Sequence, residues 1–148
     1  MKEKMALIFK RIGFYLLSFT WGIIPTFVGF IVTAVASCFG RVRTFHGRLY
    51  SVIGKDWGGL ELGCFFVACE SCADSDHLRA HESGHGLQNI LFGPLFVFLV
   101  WIPSAIRYWY RELKYNRKHI APPTQYDDIW FEGMATRWGK KYVLTDRI

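Results

Sequence analysis

A stretch of 29 residues, 12–40, contains no charged side chain, and it limits the folds open to this chain. A helix that spans a membrane needs about 20 apolar residues. A secretory signal has a shorter apolar core of about 7–15 residues, so this stretch is too long and too aromatic to be one. We therefore predict a basic tail at residues 1–11 and a retained transmembrane anchor at residues 12–40, kinked at Pro25.

A second uncharged tract follows at residues 86–106, and its apolar part covers residues 90–106. Two proline pairs, Gly93-Pro94 and Pro103-Ser104, interrupt it. Each proline removes a helix hydrogen bond and disfavours helix at the residue before it. The resulting pieces are too short to cross a membrane, so we predict a re-entrant or interfacial segment. An ordinary second crossing with proline kinks stays open as an alternative.

Composition supports a membrane protein with an ordered domain. Hydrophobic residues make up 51% of the 148 residues, whereas 20% are charged, and this balance excludes a disordered chain. The net charge of +6 does not decide orientation, because arginines follow the first tract as well as precede it. The basic aromatic run at residues 107–111 is typical of a lipid interface. We expect membrane lipid as a partner and no nucleic acid.

The region between the tracts predicts a small α+β unit. Residues 44–53 and 60–68 have the β-branched and aromatic content of strands, and the glycine-rich residues between them predict a β-hairpin. Asp74 or Ser75 is a suitable N-cap for a helix that runs into the second tract. Residues 127–139 predict a last helix with an acidic start and a closing glycine. We expect residues 41–148 to form one domain.

The sequence His81-Glu82-Ser83-Gly84-His85 lies on the predicted helix and has the pattern H-E-x-x-H. The four-residue spacing places both imidazoles on one face, where they can bind one Zn²⁺. Glu82 lies about 60° further round the helix than His85, so it can reach a water molecule without occupying a ligand position. This arrangement predicts hydrolysis with Glu82 as the general base. Two histidines at a membrane interface are the alternative.

A hydrolytic zinc site needs a third protein ligand and one open position. The candidates downstream are His119, Asp127, Asp128 and Glu132, of which Glu132 is favoured. On the last helix it shares a face with small residues, which would let that helix pack closely against the histidine helix. Asp128, one turn earlier, is a candidate for orienting a ligand imidazole, although capping alone explains an aspartate there.

With its H-E-S-G-H run and a later helix carrying Trp130-Phe131-Glu132, residues 77–139 resemble the zincin metallopeptidases. They are most similar to the gluzincin-type branch and to small bacterial membrane or toxin-associated proteins with an H-E-x-G-H run. The resemblance implies that His81, His85 and Glu132 bind zinc and that Glu82 is the base. It also implies a bacterial plasma membrane and a protein or peptide substrate. Many gluzincins have an aspartate three or four residues after the ligand glutamate, where this chain has Ala135 and Thr136.

Three interpretations stay open at Cys69-Glu70-Ser71-Cys72, namely a disulfide, a redox pair and a structural metal site. His77 is too far from His85 along the helix to share its metal, so we expect a surface or orienting role. Residues 60–68 are a candidate edge strand for an extended substrate, or a strand that covers the helix. The sequence thus predicts a membrane-anchored zinc hydrolase, with a non-enzymatic two-span protein as the alternative. It identifies no substrate-binding residue, oligomeric state or side of the membrane.

Overall fold

The fold combines helices at both ends of the chain with a small central sheet. The computed structural model describes residues 2–145, and this part is α+β, with five α-helices and one four-stranded sheet. The elements in chain order are α1 (Lys2–Thr20), α2 (Ile23–Ser37), β1 (Val42–Phe45), β2 (Arg48–Val52), β3 (Gly59–Leu62), β4 (Phe65–Ala68), α3 (Asp76–Phe92), α4 (Ile102–Lys114) and α5 (Trp130–Trp138).

The sheet contains two hairpins, which corrects the prediction of one. Strands β1 and β2 pair antiparallel through a turn at His46 and Gly47, both with positive φ. Strands β3 and β4 pair antiparallel through a turn at Gly63, and β2 and β4 pair in parallel. The order is β1-β2-β4-β3, so β3 lies at an edge. Each predicted strand therefore consists of two strands, because a glycine turn divides each apolar run.

The first apolar tract is divided between α1 and α2, which are bent by 97°. The break lies at Trp21-Gly22 and not at Pro25, because Pro25 sits in the first turn of α2, where a helix does not need its N–H. Across residues 2–145, we find no single helix that is long and apolar enough to cross a membrane. Two bent pairs meet the length and composition requirements together, and α1 with α2 is one of them.

The second tract forms the other bent pair, residues 76–95 with residues 97–118, which turns by 118°. Helix α3 ends at Gly93, whose φ is 55°. A π-helical turn, Val97–Trp101, then leads directly into α4. The predicted break at Gly93-Pro94 is therefore present. The break predicted at Pro103-Ser104 is not, because the π-helical turn continues into α4 with Pro103 in the first turn of that helix.

The breaks in the two tracts lie against each other. Asn89 is fully buried and its Nδ2 donates to the Gly22 carbonyl over 3.1 Å. Thr26 Oγ1 donates to the same carbonyl over 2.8 Å. A Cβ on Gly93 would lie 2.2 Å from the Trp21 indole, so the ring packs directly on the second bend. Each bend therefore stabilises the other, through the Asn89 hydrogen bond and the packing of the Trp21 ring.

The core lies between the sheet and α3. Tyr50 of β2 stacks on Phe66 of β4 with ring centroids 4.8 Å apart. Arg48 of β2 is buried, and its Nη1 donates to the Ser83 carbonyl of α3 over 2.9 Å. Its guanidinium lies 4.0 Å from the centre of the Phe14 ring of α1, and burial lowers the pKa of Arg48 to about 10. These contacts fix α3 relative to both the sheet and α1.

Helix α5 packs on α3 at very short range, as its predicted face of small residues requires. A Cβ on Gly84 would lie 1.9 Å from the Ala135 carbonyl oxygen, and one on Gly139 would lie 1.9 Å from the Ala80 carbonyl oxygen. Any larger side chain at either glycine would push the two helices apart. This close approach brings Glu132 of α5 to the histidines of α3.

Candidate metal centre

Three buried side chains converge between α3 and α5. The Nε2 atoms of His81 and His85 each lie 3.0 Å from Oε2 of Glu132. The three atoms all lie within 4.8 Å of one another. Tetrahedral zinc with bonds of about 2.0–2.1 Å separates its ligand atoms by roughly 3.3 Å. His81, His85 and Glu132 could therefore hold a metal ion.

The orientation of His81 is set by a hydrogen-bonded chain behind it. Its Nδ1 lies 2.7 Å from Oγ1 of Thr136. That hydroxyl donates its own proton to Oδ2 of Asp127, also over 2.7 Å. The hydroxyl can therefore only accept from His81, so Nδ1 carries the proton and a lone pair on Nε2 points towards Glu132.

His85 is oriented in the same way by a different residue. Its Nδ1 lies 2.7 Å from Oε1 of Gln88. The amide orientation is fixed because Gln88 Nε2 donates to the Phe131 carbonyl over 2.7 Å. Nδ1 of His85 therefore donates to Gln88, and its Nε2 lone pair also points towards Glu132.

Three hydrogen-bond acceptors, each with a lone pair, thus face one another in a buried space, and a cation between them removes their repulsion. Without a metal, a proton must take that place. Burial lowers the pKa of His85, but the hydrogen bond and charge of Glu132 outweigh burial and raise it to about 9. Burial would raise the pKa of Glu132, but its hydrogen bonds to His81 and His85 hold it well below its usual range. The raised pKa of His85 favours a protonated imidazole, and the lowered pKa of Glu132 favours the carboxylate beside it.

The second oxygen of Glu132 is held from α4. Ser104 Oγ donates to Oε1 of Glu132 over 2.5 Å, and the Tyr126 hydroxyl lies 3.5 Å from the same Ser104 oxygen. This contact leaves Oε2 directed at the two imidazoles. Burial raises the pKa of Tyr126, so its hydroxyl keeps its proton at neutral pH.

Glu82 lines a cleft of about 350 Å³ together with the three candidate ligands. Its side chain is buried, and burial raises its pKa, although the nearby histidines lower it. A carboxylate with a raised pKa is a stronger base. A Cβ on Gly59 of the edge strand β3 would lie 2.7 Å from Oε1 of Glu82, so this position needs glycine.

The outer edge of β3 is partly blocked. The Glu61 carbonyl accepts a hydrogen bond from Trp101 Nε1 over 3.1 Å, so the backbone groups of Glu61 point away from β4. Backbone groups alternate along a strand, so those of Gly59 point the same way. Gly58, Gly59 and Leu60 line the cleft. An extended chain could therefore pair with β3 at Gly59, but not at Glu61.

The other candidate residues have different roles. Asp128 Oδ2 accepts from the Gln125 N–H over 2.7 Å and is exposed, so it caps a short 3₁₀ helix and orients no imidazole. Asp127 acts on His81 through Thr136 instead. His119 is an exposed residue with a φ of 54° and lies outside the cluster. His77 is exposed and lines the cleft, with its ring 6.3 Å from that of His81.

Cys69 and Cys72 form a disulfide, so neither thiolate is available to bind metal. The Gly58 N–H donates to Cys69 Sγ over 3.4 Å, and Cys72 Sγ lies 3.2 Å from the Gly58 carbonyl oxygen. The disulfide therefore packs against the residue that precedes β3. Of the three interpretations of this motif, the structure shows the disulfide.

Sequence reasoning missed Ser104, Tyr126 and the orienting role of Thr136. A serine after a proline and a tyrosine in a polar loop carry no periodic signal, and their proximity to Glu132 depends on the turn of the second tract. Thr136 lies one helical turn after Glu132, and that spacing was the available signal.

Comparison with known proteins gives no match to a family model, to a curated protein or to a solved structure. The candidate site therefore has to be interpreted from its own geometry.

Proposed function

We propose that this protein is a zinc-dependent hydrolase, and that it acts as a peptidase. The observation that carries the proposal is the convergence of two Nε2 lone pairs and a carboxylate oxygen, with each Nδ1 proton committed elsewhere. A structural site would be closed by a fourth protein ligand, whereas these three leave a position open towards a cleft. The resemblance to zincin metallopeptidases supports the same residues in the same roles.

His81, His85 and Glu132 would hold the ion, whose Lewis acidity activates a water molecule for attack on a carbonyl carbon. Glu82 lies at the same cleft and accepts the proton of that water. Its raised pKa lets it carry the proton and pass it to the leaving amine. Tyr126, protonated and facing the same cleft, can donate a hydrogen bond to a substrate oxygen.

The cleft suits a short extended stretch of polypeptide. Its volume of about 350 Å³ is at the lower end of the range typical of ligand sites. The free backbone groups of Gly59 can add one pair of hydrogen bonds to a substrate chain. Trp101 blocks the next position along β3, so the substrate would leave the strand there.

We also propose that the apolar tracts associate with a bilayer. Large apolar side chains are exposed on both α1 and α2. Examples are Phe9 at 66%, Leu16 at 62% and Phe27 at 61%. Such an apolar surface is too extensive for water alone. The disulfide favours placing the cleft on the oxidising side of a plasma membrane.

A single substitution tests the proposed base. We expect Glu82→Gln to keep its zinc and to lose hydrolysis of a peptide library by at least about a hundredfold, the usual contribution of a positioned base. Glu70→Gln is the matched control, because Glu70 is exposed and pairs with Arg41 away from the cleft. The measurements are zinc content and peptide-bond cleavage detected by mass spectrometry.

Two outcomes would count against this function. Undiminished cleavage by the Glu82→Gln variant would exclude Glu82 as the base. Stoichiometric zinc without cleavage by the unmodified protein would favour the alternative, a non-enzymatic membrane protein with a structural metal.

A further inference from the structure

Helix α4 has two chemically different faces. One face exposes a row of large apolar side chains at helical spacing, and none of the residues of α4 is buried. The row consists of Ile102 at 45%, Ile106 at 64%, Trp109 at 55% and Leu113 at 53% exposure. We call these four residues the α4 stripe. Soluble surfaces carry single apolar residues, whereas a continuous row indicates a binding surface.

The opposite face of α4 forms a wall of the cleft. Ser104, Tyr108 and Arg111 line it, and Ser104 donates to Glu132. At 100° per residue these three lie roughly 180° from the α4 stripe. Whatever contacts the stripe therefore lies directly behind the wall of the candidate metal centre.

The attachment of α4 to the rest of the domain is polar and slight. Arg107 donates to the carbonyls of Gln125 and Tyr126, and Arg111 donates to that of Thr124. The connection to α3 runs through the bend at Gly93 and a π-helical turn. An element with few buried apolar contacts is the kind that moves at low cost.

The chemistry around the α4 stripe matches an anionic bilayer. Tyr110 adds an amphipathic ring next to the stripe, and Lys114, Arg117 and Lys118 follow at the end of the helix, all exposed. Aromatic rings at headgroup depth and basic side chains beside anionic lipid are typical of interfacial helices. The stripe continues into Leu95, Phe98 and Leu99, which are also exposed.

We propose that α4 lies in the surface of an anionic bilayer, with the α4 stripe among the acyl chains and the opposite face forming a wall of the cleft. The candidate site then opens at the membrane surface, and its substrates are polypeptide segments held close to a bilayer. This second statement rests on the proposed function, whereas the position of α4 does not.

An environment-sensitive fluorophore locates the stripe. We would label Ile106→Cys in a Cys38→Ser background, because Cys38 is an exposed free thiol. Lys55→Cys, in the exposed turn before β3, is the matched control. The protein is reconstituted into vesicles of phosphatidylcholine alone or with 30 mol% phosphatidylglycerol, a composition chosen on the order of that of anionic membranes.

In the vesicles that contain phosphatidylglycerol, we expect the fluorescence of the label at residue 106 to shift to the blue and to be quenched by lipid-borne nitroxide. The label at residue 55 should show neither effect. The ratio of immersed to exposed label should fall about fivefold when Lys118 is neutralised by Lys118→Gln. A label at residue 106 that stays as accessible to aqueous quencher as one at residue 55 would overturn the proposal. So would protection at residue 106 in detergent that depends on protein concentration, since a second copy would then cover the stripe.

Activity measurements separate this inference from the proposed function. The Ile106→Glu and Leu113→Glu variant should still cleave a soluble peptide in detergent but lose cleavage of the same peptide tethered to vesicles. Equal loss on both substrates would contradict a role in membrane access. If the unmodified protein cleaves neither, the proposed function fails, while the fluorophore still decides where α4 lies.

Discussion

Glu61 places a second buried carboxylate near the candidate metal centre. Its side chain is 2% exposed, its Oε1 accepts from the Gly63 N–H over 2.5 Å, and its Oε2 has no hydrogen-bond partner among residues 2–145. Burial raises the pKa of Glu61 to about 8, against the lowering effect of His85 and of the Gly63 N–H. The group is therefore mostly protonated when the protein is folded at neutral pH.

This raised pKa predicts a pH-dependent stability. The folded state holds a proton that the unfolded chain releases near its ordinary pKa of 4.5. Stability should therefore fall as pH rises from about 4.5 to about 8, by about 1 kcal/mol per pH unit within that range. Glu61→Gln should reduce this slope, measured as the Tm at pH 6 and pH 8, with the exposed Glu70→Gln as control. Part of the slope should remain, because the raised pKa of His85 acts in the same direction. An unchanged slope in Glu61→Gln would show that Glu61 is ionised in the fold.

Single residues differ in how far the sequence could specify their roles. His81, Glu82 and His85 belong to one helix, so their relative placement follows from local geometry alone. Glu132 could be favoured because the residues that share its helical face are small. In the structure it lies against the two histidines. The sequence could not show that Asp127, and not Asp128, acts on His81. Both aspartates lie in a 3₁₀ turn before α5, so the periodicity of α5 does not give the directions of their side chains.

At the scale of elements, the packing of α3 on α5 depends on glycine. Gly84→Ala would insert a methyl group against the Ala135 backbone, where α5 has no flexible side chain to move aside. We expect a loss of about 1–3 kcal/mol of stability and zinc affinity about tenfold weaker or more, because Glu132 moves away from the histidines. The measurements are thermal unfolding and competition with a chelator.

The matched control is Gly13→Ala in α1, where no neighbouring atom of the described part of the chain lies within 4 Å of the added methyl group. Alanine favours helix over glycine by about 1 kcal/mol, so this variant should be as stable as the unmodified protein or more so. Equal effects of the two substitutions would mean that helix propensity, and not close packing, governs Gly84.

The elements also show where sequence patterns mislead. The absence of charge predicted one continuous anchor with a kink at Pro25, whereas the chain bends at Trp21-Gly22, where no proline marks the position. Asn89 and Thr26 make that bend possible by hydrogen bonding the Gly22 carbonyl. The Asn89 bond is a contact between distant parts of the chain, which a local pattern does not contain.

For the whole molecule, the turn of the second tract has a consequence for topology. His85 precedes the tract and Glu132 follows it, yet their side chains are in contact. A tract that crossed a bilayer once would separate them. The contact between His85 and Glu132 therefore requires that both flanks of the second tract lie on the same side of any membrane.

Cysteine labelling tests this requirement. We expect Lys55→Cys and Lys118→Cys, each in the Cys38→Ser background, to react equally with an impermeant maleimide added outside intact cells. Both positions are exposed and lie on either side of the second tract. Labelling of one position from outside and the other only after lysis would contradict a shared site. Protection of both would keep the shared site but place it on the cytoplasmic side.

The proposed zinc site is tested best by K-edge X-ray absorption on the protein loaded with one equivalent of zinc, which reports the atoms bound to the ion. We expect a shell of about four nitrogen and oxygen atoms at about 2.0–2.1 Å that includes two imidazoles, of which His81→Ala and His85→Ala each remove one. Sulfur scattering at about 2.3 Å would contradict it by placing the ion on Cys69 and Cys72. An unchanged spectrum in the two alanine variants would contradict it as well.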